Sequence, residues 1–332
     1  ANIRFKGNDG GSSITALTLD ISDAGTAIFN DKLKVPNKLM HVNDEDTYIQ
    51  FDTNGIDIHP GDGSGGVNTL VITANNVAVT GTVTGATSYN GIPFYSDAAN
   101  NSMYTHDVSG TDDTATGNTA YGFAAMDAIA TGDANVAIGY RAGTDLTGGS
   151  QNVVIGKDAG FDLTNGNYNV AIGYEALYSE DSGGFSVAIG RRALKDQNVA
   201  DSYNVAVGYH AGTAVTTGVK NTLIGGLTGD ALTTGAGNVA LGYNALSTED
   251  TGGKNTAIGH ESLTNLNFDG DAYNTAVGFN SGLSVTTGVQ NTLIGGLAGD
   301  ALTTGGENVA IGYAALSADD DHGQNVAVGH NA

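Results

Sequence analysis

Few residues of this chain have a type and spacing suited to chemistry. Asp181-Ser182-Gly183-Gly184 spells the D-S-G-G that surrounds a serine-protease nucleophile, but hydrolysis would also need a histidine base held by a carboxylate. The related stretch Asp250-Thr251-Gly252-Gly253 keeps the turn and loses the serine, so a repeated turn explains both. Gly61-x-Gly63-x-x-Gly66 matches the dinucleotide fingerprint in letters alone. That fingerprint opens a helix, whereas a Val/Thr strand pattern follows here, which predicts a hairpin loop. The 7 histidines (His41, His59, His106, His210, His260, His322 and His330) show no paired metal-ligand spacing, although one histidine per chain could meet its copies on a symmetry axis. Acid clusters at Asp44-Glu45-Asp46, Glu180-Asp181, Glu249-Asp250, Asp269-Gly270-Asp271 and Asp319-Asp320-Asp321 lack the spacing of known Ca²⁺ loops and read as solvated turns. No catalytic residue, metal site or cofactor is expected, Ca²⁺ at these acid clusters being the one alternative. A set of regularly spaced aromatics is more promising. Tyr140, Tyr174, Tyr209, Tyr243 and Tyr313, with Phe123 and Phe279, would either pack between repeats or form an exposed stripe able to stack on sugars.

What positions those aromatics is a repeat. The element N-V-A-I-G-Y and its variants start at Asn118, Asn135, Asn152, Asn169, Ser186, Asn204, Asn221, Asn238, Asn255, Asn274, Asn291, Asn308 and Asn325. The step is 17 residues, except 18 after Ser186 and 19 after Asn255. Internal periodicity of this kind marks stacked repeats. Within a repeat, Val136 and Ile138 share one strand face and Ala137 takes the other. The fifth position is always glycine, as at Gly139, Gly156, Gly173, Gly190, Gly208, Gly225 and Gly242, which implies positive φ or close backbone approach. The eighth is small and the fifteenth is usually glycine again. Two glycine corners and two short strands describe one turn of a parallel β-solenoid. The first-position Asn135, Asn152, Asn169, Asn204 and Asn238 should build a ladder of amide hydrogen bonds along the stack. Helices are excluded, because apolar residues do not follow the helical period and each interior glycine would cost about 1 kcal/mol. Coils spaced about 4.8 Å apart would make a rod of roughly 60 Å. The longer coils, at Asp196–Tyr203 and Leu266–Tyr273, close four-coil modules of 69 and 70 residues. Repetition of this sort extends a structure and does not assemble a single active site.

Composition supports a soluble, layered β-protein. Glycine stands at 51 and proline at 3, so the chain is not collagen. The 40% hydrophobic share is regularly spaced, which argues against disorder. A net charge of −23 excludes ordinary nucleic-acid backbone binding. No apolar run reaches the ~20 residues of a membrane span, so membrane insertion is not expected. With cysteine at 0, there is no disulfide or thiolate metal site. No signal peptide is evident, and both ends look like cuts.

Residues before the repeats differ in texture. Two weakly similar β-rich halves are predicted at 1–45 and 46–93. The first has Ile3-Arg4-Phe5, a turn at Gly7–Ser13, Thr15–Ser22 and Gly25–Phe29. The second has Ile49-Gln50-Phe51, a turn at Gly61–Gly66, Asn68–Thr73 and Val77–Val83. A polar connector at 94–117 then leads to the repeat domain, 118–332.

The repeat resembles the head coils of trimeric autotransporter adhesins, and Ser186-Val187-Ala188-Ile189-Gly190 matches their S/N-V-A-I-G motif residue for residue. Its 17-residue spacing, with N-T-A-[IV]-G and T-T-G, is similar to repeats of bacteriophage tail-fibre-like proteins, as is the opening segment from Ile3 to Phe29. The resemblance implies a homotrimeric fibre of parallel coils, with Ala137 and its equivalents at the trimer interface, located on a virion or outside a cell. Implied partners are further copies, other virion or fibre proteins, and host surface polysaccharide. A self-cleaving chaperone domain of the kind that ends many phage fibres has no counterpart here. The expected role is a structural shaft that contributes to host attachment. A bacterial surface adhesin or extracellular filament is the first alternative, and a glycan-cleaving tailspike, needing paired carboxylates about 5–10 Å apart, the second.

Overall fold

The structure is a computed structural model. It describes the strands between residues 2 and 104 by their backbone, Met103 and Tyr104 with side chains, and residues 114–318 and 320–332 in full. The chain divides into two compact units, Ala1–Val83 and Thr84–Ala332.

The first unit holds two small antiparallel sheets. β1 (Asn2–Asp9), β2 (Ser12–Asp20) and β3 (Thr26–Phe29) form one meander. β4 (Lys38–His41), β5 (Asp44–Phe51) and β6 (Ile56–Pro60) form the other. The turn expected over Gly7–Ser13 is tighter, since β1 runs to Asp9 and β2 resumes at Ser12. β5 pairs with β4 from Lys38↔Gln50 onward, so the expected boundary at 45/46 falls inside β5. The stretches Gly61–Gly66, Asn68–Thr73 and Val77–Val83 lie outside the described residues.

The second unit is all-β. After a short hairpin of β7 (Ser88–Tyr89) and β8 (Ile92–Pro93), one sheet of 15 strands runs from β9 (Tyr95–Asp97) to β23 (Val326–Val328) in sequence order. β9 pairs antiparallel with β10 (Ser102–Tyr104), and every later pair is parallel. The expected β-solenoid is therefore present. Its sheet begins before Asn118, because Met103 N–H donates to the Asn118 carbonyl at 2.9 Å and Tyr104 is buried. The register step is 17 residues at most pairs. It is 18 between β15 (Val187–Ile189) and β16 (Val205–Val207), and 19 between β19 (Thr256–Ile258) and β20 (Thr275–Val277).

Each coil carries one three-residue strand, at the second to fourth positions, where two strands were expected. The rest of the coil is turn, and its curvature comes from left-handed residues. The seventh position is left-handed in every described coil, as at Arg141 (φ 53), Arg192 (φ 58) and Leu297 (φ 57). Such a conformation costs a non-glycine residue about 1–2 kcal/mol. Inter-coil hydrogen bonds offset that cost; Arg141 N–H, for example, reaches the Phe123 carbonyl of the preceding coil at 2.9 Å.

Glycine at the fifth position answers two demands at once. At Gly190 φ is +135°, and a Cβ would lie 2.2 Å from the Gly208 carbonyl oxygen of the next coil.

First-position asparagines close the coils. Asn135 Nδ2 donates to the Gly149 carbonyl at the end of its own coil (2.8 Å), and its Oδ1 accepts the Asn152 backbone N–H of the next at 2.9 Å. The ladder therefore runs from side chain to backbone. A direct amide–amide bond adds to it between Asn152 and Asn135, at 3.1 Å. Asn169, Asn204 and Asn238 make the same two bonds, and all five asparagines are buried.

The core is a narrow column of small and medium side chains. The third position (Ala137, Ala171, Ala188) is fully buried within its own chain. The assignment of Ala137 and its equivalents to a trimer interface is thereby overturned, because these side chains have no surface left to offer another chain. Where the third position is larger, the ninth is glycine. A Cβ on Gly229 would meet Leu223 Cδ2 at 3.0 Å, whereas the coil with Ala240 carries a buried Leu246 at the ninth position.

Candidate functional site: the outer sheet face and the aromatic columns

Because the third position points inward, the second and fourth point out. Val239, Leu241, Ile138, Ile294 and Ile311 are exposed, and the same face continues through half-buried Val170, Ile172, Val187 and Ile189. The result is a largely apolar ribbon along the described coils, continuous at the fourth position and carrying Thr119, Thr222, Thr256, Thr275 and Thr292 among the valines of the second. Exposed apolar surface that continues over many repeats marks an interaction surface.

Past the fifth-position glycine the chain turns, and the sixth position begins a separate column. Its members in coil order are Phe123, Tyr140, Lys157, Tyr174, Arg191, Tyr209, Gly226, Tyr243, His260, Phe279, Gly296, Tyr313 and His330. The aromatics pack between coils and also face solvent. The rings stack coil on coil, with Phe123–Tyr140 centroids 6.0 Å apart and Tyr313–His330 5.3 Å apart, yet most remain about half exposed. Tyr174 is the more sheltered of the five candidate tyrosines. Cations take the place of rings in two coils. Lys157 Nζ lies 5.1 Å from the Tyr174 ring centre, and the Arg191 guanidinium sits 5.5 Å from both Tyr174 and Tyr209. The column is interrupted twice, by Gly226 and Gly296.

Charges beside the column are paired. Asp158, almost fully buried, takes Arg141 at 2.6 Å and Lys157 at 3.0 Å. The hydrogen bond to Asp158 raises the Lys157 pKa. Arg192 meets Glu175 at 2.7 Å. His210 Nε2 lies 2.7 Å from Arg191 Nη1, and burial followed by the Arg191 charge lowers its pKa. The more exposed of these pairs contribute little to stability and mainly fix side-chain geometry.

The remaining chemical candidates resolve into architecture. Gly183 of the D-S-G-G stretch is a coil corner: its N–H donates to Glu180 Oε1 at 2.7 Å and its carbonyl accepts from Asn169 Nδ2. Gly61–Gly66, His106 and Asp319 lie outside the described residues, as do the side chains of His41, His59 and Asp44–Asp46. Among the described residues, no three His, Asp or Glu side chains cluster as metal ligands would. Asp269 accepts from Thr251 at 2.9 Å, and Asp271 pairs with Lys254 at 2.7 Å.

Two acids expected on the surface are instead buried. Glu180 and Glu249 occupy the twelfth position, which other coils fill with Leu146, Leu163 or Leu232. Each sits just before a lengthened coil and receives N–H groups that the extra residues displace. Glu180 accepts from Gly183 N–H, Gln197 Nε2 (2.8 Å) and Val199 N–H; Glu249 accepts from Gly252 N–H (2.7 Å) and Phe268 N–H (3.3 Å). Burial pushes both carboxyls up. Ser186, the one first position that lacks asparagine, belongs to the same network: Gln197 donates to its Oγ at 2.8 Å and accepts from Asn204 Nδ2 at 2.8 Å. Two further aromatic columns also escaped the sequence reading. Tyr168, Phe185 and Tyr203 stack at 5.1 and 5.0 Å, and Phe161 stacks on Tyr178 at 5.1 Å. Register modulo 17 was the signal that could have found both sets.

The chain matches no protein-family model, no curated protein and no solved structure. Among the described residues, no helix is long and apolar enough to cross a membrane.

Proposed function

We propose that this chain is the shaft segment of a homotrimeric fibre, a virion tail fibre or appendage, in which three copies pack their outer Val/Ile ribbons against one another. The carrying observation is that ribbon. Its side chains alternate with the fully buried third position, so they belong to a second apolar surface distinct from the chain's own core. A narrow coil has little interior to fill, and burying the ribbon against other copies supplies the apolar contact that one chain lacks. Three-fold assembly is supported by the likeness of the repeat to trimeric adhesin heads and phage fibres. In this role the chain is a structural protein and not an enzyme, placed on a virion or outside a cell, with other fibre proteins at its ends and host surface glycans alongside.

The test is the mass of the assembly. Light scattering should give three times the chain mass, and Ile172→Glu with Val205→Glu should reduce it to the single chain with the β circular-dichroism signal retained. A wild-type chain that stays monomeric at high micromolar concentration refutes the reading.

A further inference from the structure

The arginines of the coils are Arg141, Arg191 and Arg192. Two of them hold a carboxylate on the Nε side of the guanidinium. Arg141 Nε donates to Asp158 Oδ1 at 2.7 Å, with Nη2 2.6 Å from the same oxygen. Arg192 Nε donates to Glu175 Oε2 at 2.7 Å. Arg191, which lies in the sixth-position column itself, is used from its other end. Its Nη1 lies 2.7 Å from His210 Nε2 and donates to the Tyr209 hydroxyl at 3.3 Å. Among the described residues, its Nε and Nη2 have no acceptor. Burial, followed by the Arg191 and Arg192 charges, lowers the His210 pKa, so the imidazole accepts from Arg191 as a neutral ring.

Arg191 is exposed, yet it is held in place. Its guanidinium sits 5.5 Å from the ring centres of Tyr174 in the preceding coil and Tyr209 in the next. Two rings and two Nη1 contacts fix the group before any ligand arrives, which lowers the ordering cost of binding. The surrounding charge also favours an anion. Glu175 is engaged by Arg192, and Asp158 is shared between Arg141 and Lys157. Lys157 lies against the opposite side of the Tyr174 contact, with Nζ 5.1 Å from that ring centre. A chain of net charge −23 thus carries here a cation that no acid of its own balances.

We infer that the open Nε–Nη2 edge of Arg191 binds a carboxylate supplied from outside the chain. That edge presents two parallel N–H donors, which match the two oxygens of a carboxylate. Asp158 and Glu175 show the same chemistry on the other two arginines. The negative charge of the whole molecule makes each further negative charge on a ligand costly, which favours a singly charged carboxylate over a phosphate dianion. For the source of the carboxylate the inference rests on the attachment role proposed above: it belongs to an acidic sugar of a surface glycan.

The test separates the site from that role. The assembled chain is titrated with methyl glucuronide, methyl glucoside and acetylglutamate amide, read by saturation-transfer NMR. Methyl glucuronide should bind at least ~10-fold more tightly than the glucoside, which lacks the carboxylate, and Arg191→Gln should abolish the difference. Arg191→Lys keeps the charge without the fork and should also bind the glucuronide more weakly than wild type. Both variants should keep the oligomer mass and melting temperature of wild type. No binding of the glucuronide, equal binding of the glucoside, or unchanged binding by Arg191→Gln would overturn the site while leaving the fibre intact. Tighter binding of acetylglutamate amide than of the glucuronide would overturn the glycan source, and stronger displacement of the glucuronide by inorganic phosphate than by acetate would overturn the choice of carboxylate. A lowered oligomer mass in Arg191→Gln would overturn the inference by giving Arg191 an acid of a neighbouring copy as its partner.

Discussion

Asn152→Ala tests the coil-closing role of the first position. The side chain donates to the Gly166 carbonyl at 2.8 Å and to Asn135 Oδ1 at 3.1 Å, and accepts the Asn169 N–H at 2.9 Å. Asn152 and Asn169 are both buried, so water cannot replace what alanine removes. The substitution withdraws a partner from two buried backbone groups, one carbonyl and one N–H. Each such group costs about 1–3 kcal/mol, so the variant should lose about 2–6 kcal/mol per chain. Alanine also leaves a small void, which adds to the same side. Denaturant unfolding should show a lowered midpoint. Hydrogen exchange should show the loss centred on the Asn169 amide and the adjoining coils, since repeat arrays couple mainly to nearest neighbours. Val153→Thr, on the outer face of the same coil, removes no buried hydrogen bond and serves as the control. A midpoint for Asn152→Ala that matches this control, with Asn169 protection unchanged, would refute the closing role.

Three further outcomes follow from the same geometry. Gly190→Ala should cost about 3 kcal/mol or more, because φ of +135° and a carbonyl 2.2 Å from the new Cβ leave no relaxed arrangement, while Gly226→Ala should be near neutral; paired thermal melts compare them. Leu223→Ala should cost about 2–5 kcal/mol, and adding Gly229→Leu should recover part of it by recreating the Ala240/Leu246 pairing, as denaturant midpoints would reveal. Acidification from neutral pH should raise stability. Burial lifts the folded-state pKa of Glu180 and Glu249 above the ordinary 4.5, so their contribution is complete below that value and is lost as pH rises through the folded pKa. Asp162, Asp230 and Asp300 shift in the same direction by burial, while Asp133, hydrogen-bonded to Thr116, shifts in the opposite one. Melting temperature should therefore climb as pH falls from neutral towards 4.5, and Glu249→Gln should flatten the climb; a fall in melting temperature over that range contradicts the assignment.

Much of the fold was legible because a repeat states each constraint many times. The invariant fifth glycine announced a corner, and the alternation in Val136-Ala137-Ile138 announced a strand with two unlike faces. Alternation alone does not say which face is inside. The larger residues would ordinarily be placed in the core, or the small ones at a neighbouring chain. The coil reverses both expectations because its interior is shared with asparagine at the first position and leucine at the twelfth, leaving room for alanine, or for Val154, Leu223 and Leu293 where the ninth position is glycine. That reversal sends Val and Ile outward and moves the candidate interface to the opposite side of the strand.

The buried acids were hidden by a different effect. Glu180-Asp181 and Glu249-Asp250 read as charged turns when taken as local strings, yet counting from the first position puts both glutamates on the leucine column. Their burial has a physical reason that composition cannot supply. A lengthened coil displaces backbone N–H groups from the regular ladder, and a carboxylate can accept two or three of them where leucine accepts none. Hence the residue that marks the end of a module is the one that makes the insertion tolerable. The breaks at Gly226 and Gly296 are legible by the same counting, as a missing ring in a column that otherwise carries a ring or a cation in each coil. In a solenoid, the position that departs from its column carries the local information, and here the buried departures are the ones that absorb extra residues inside the coil.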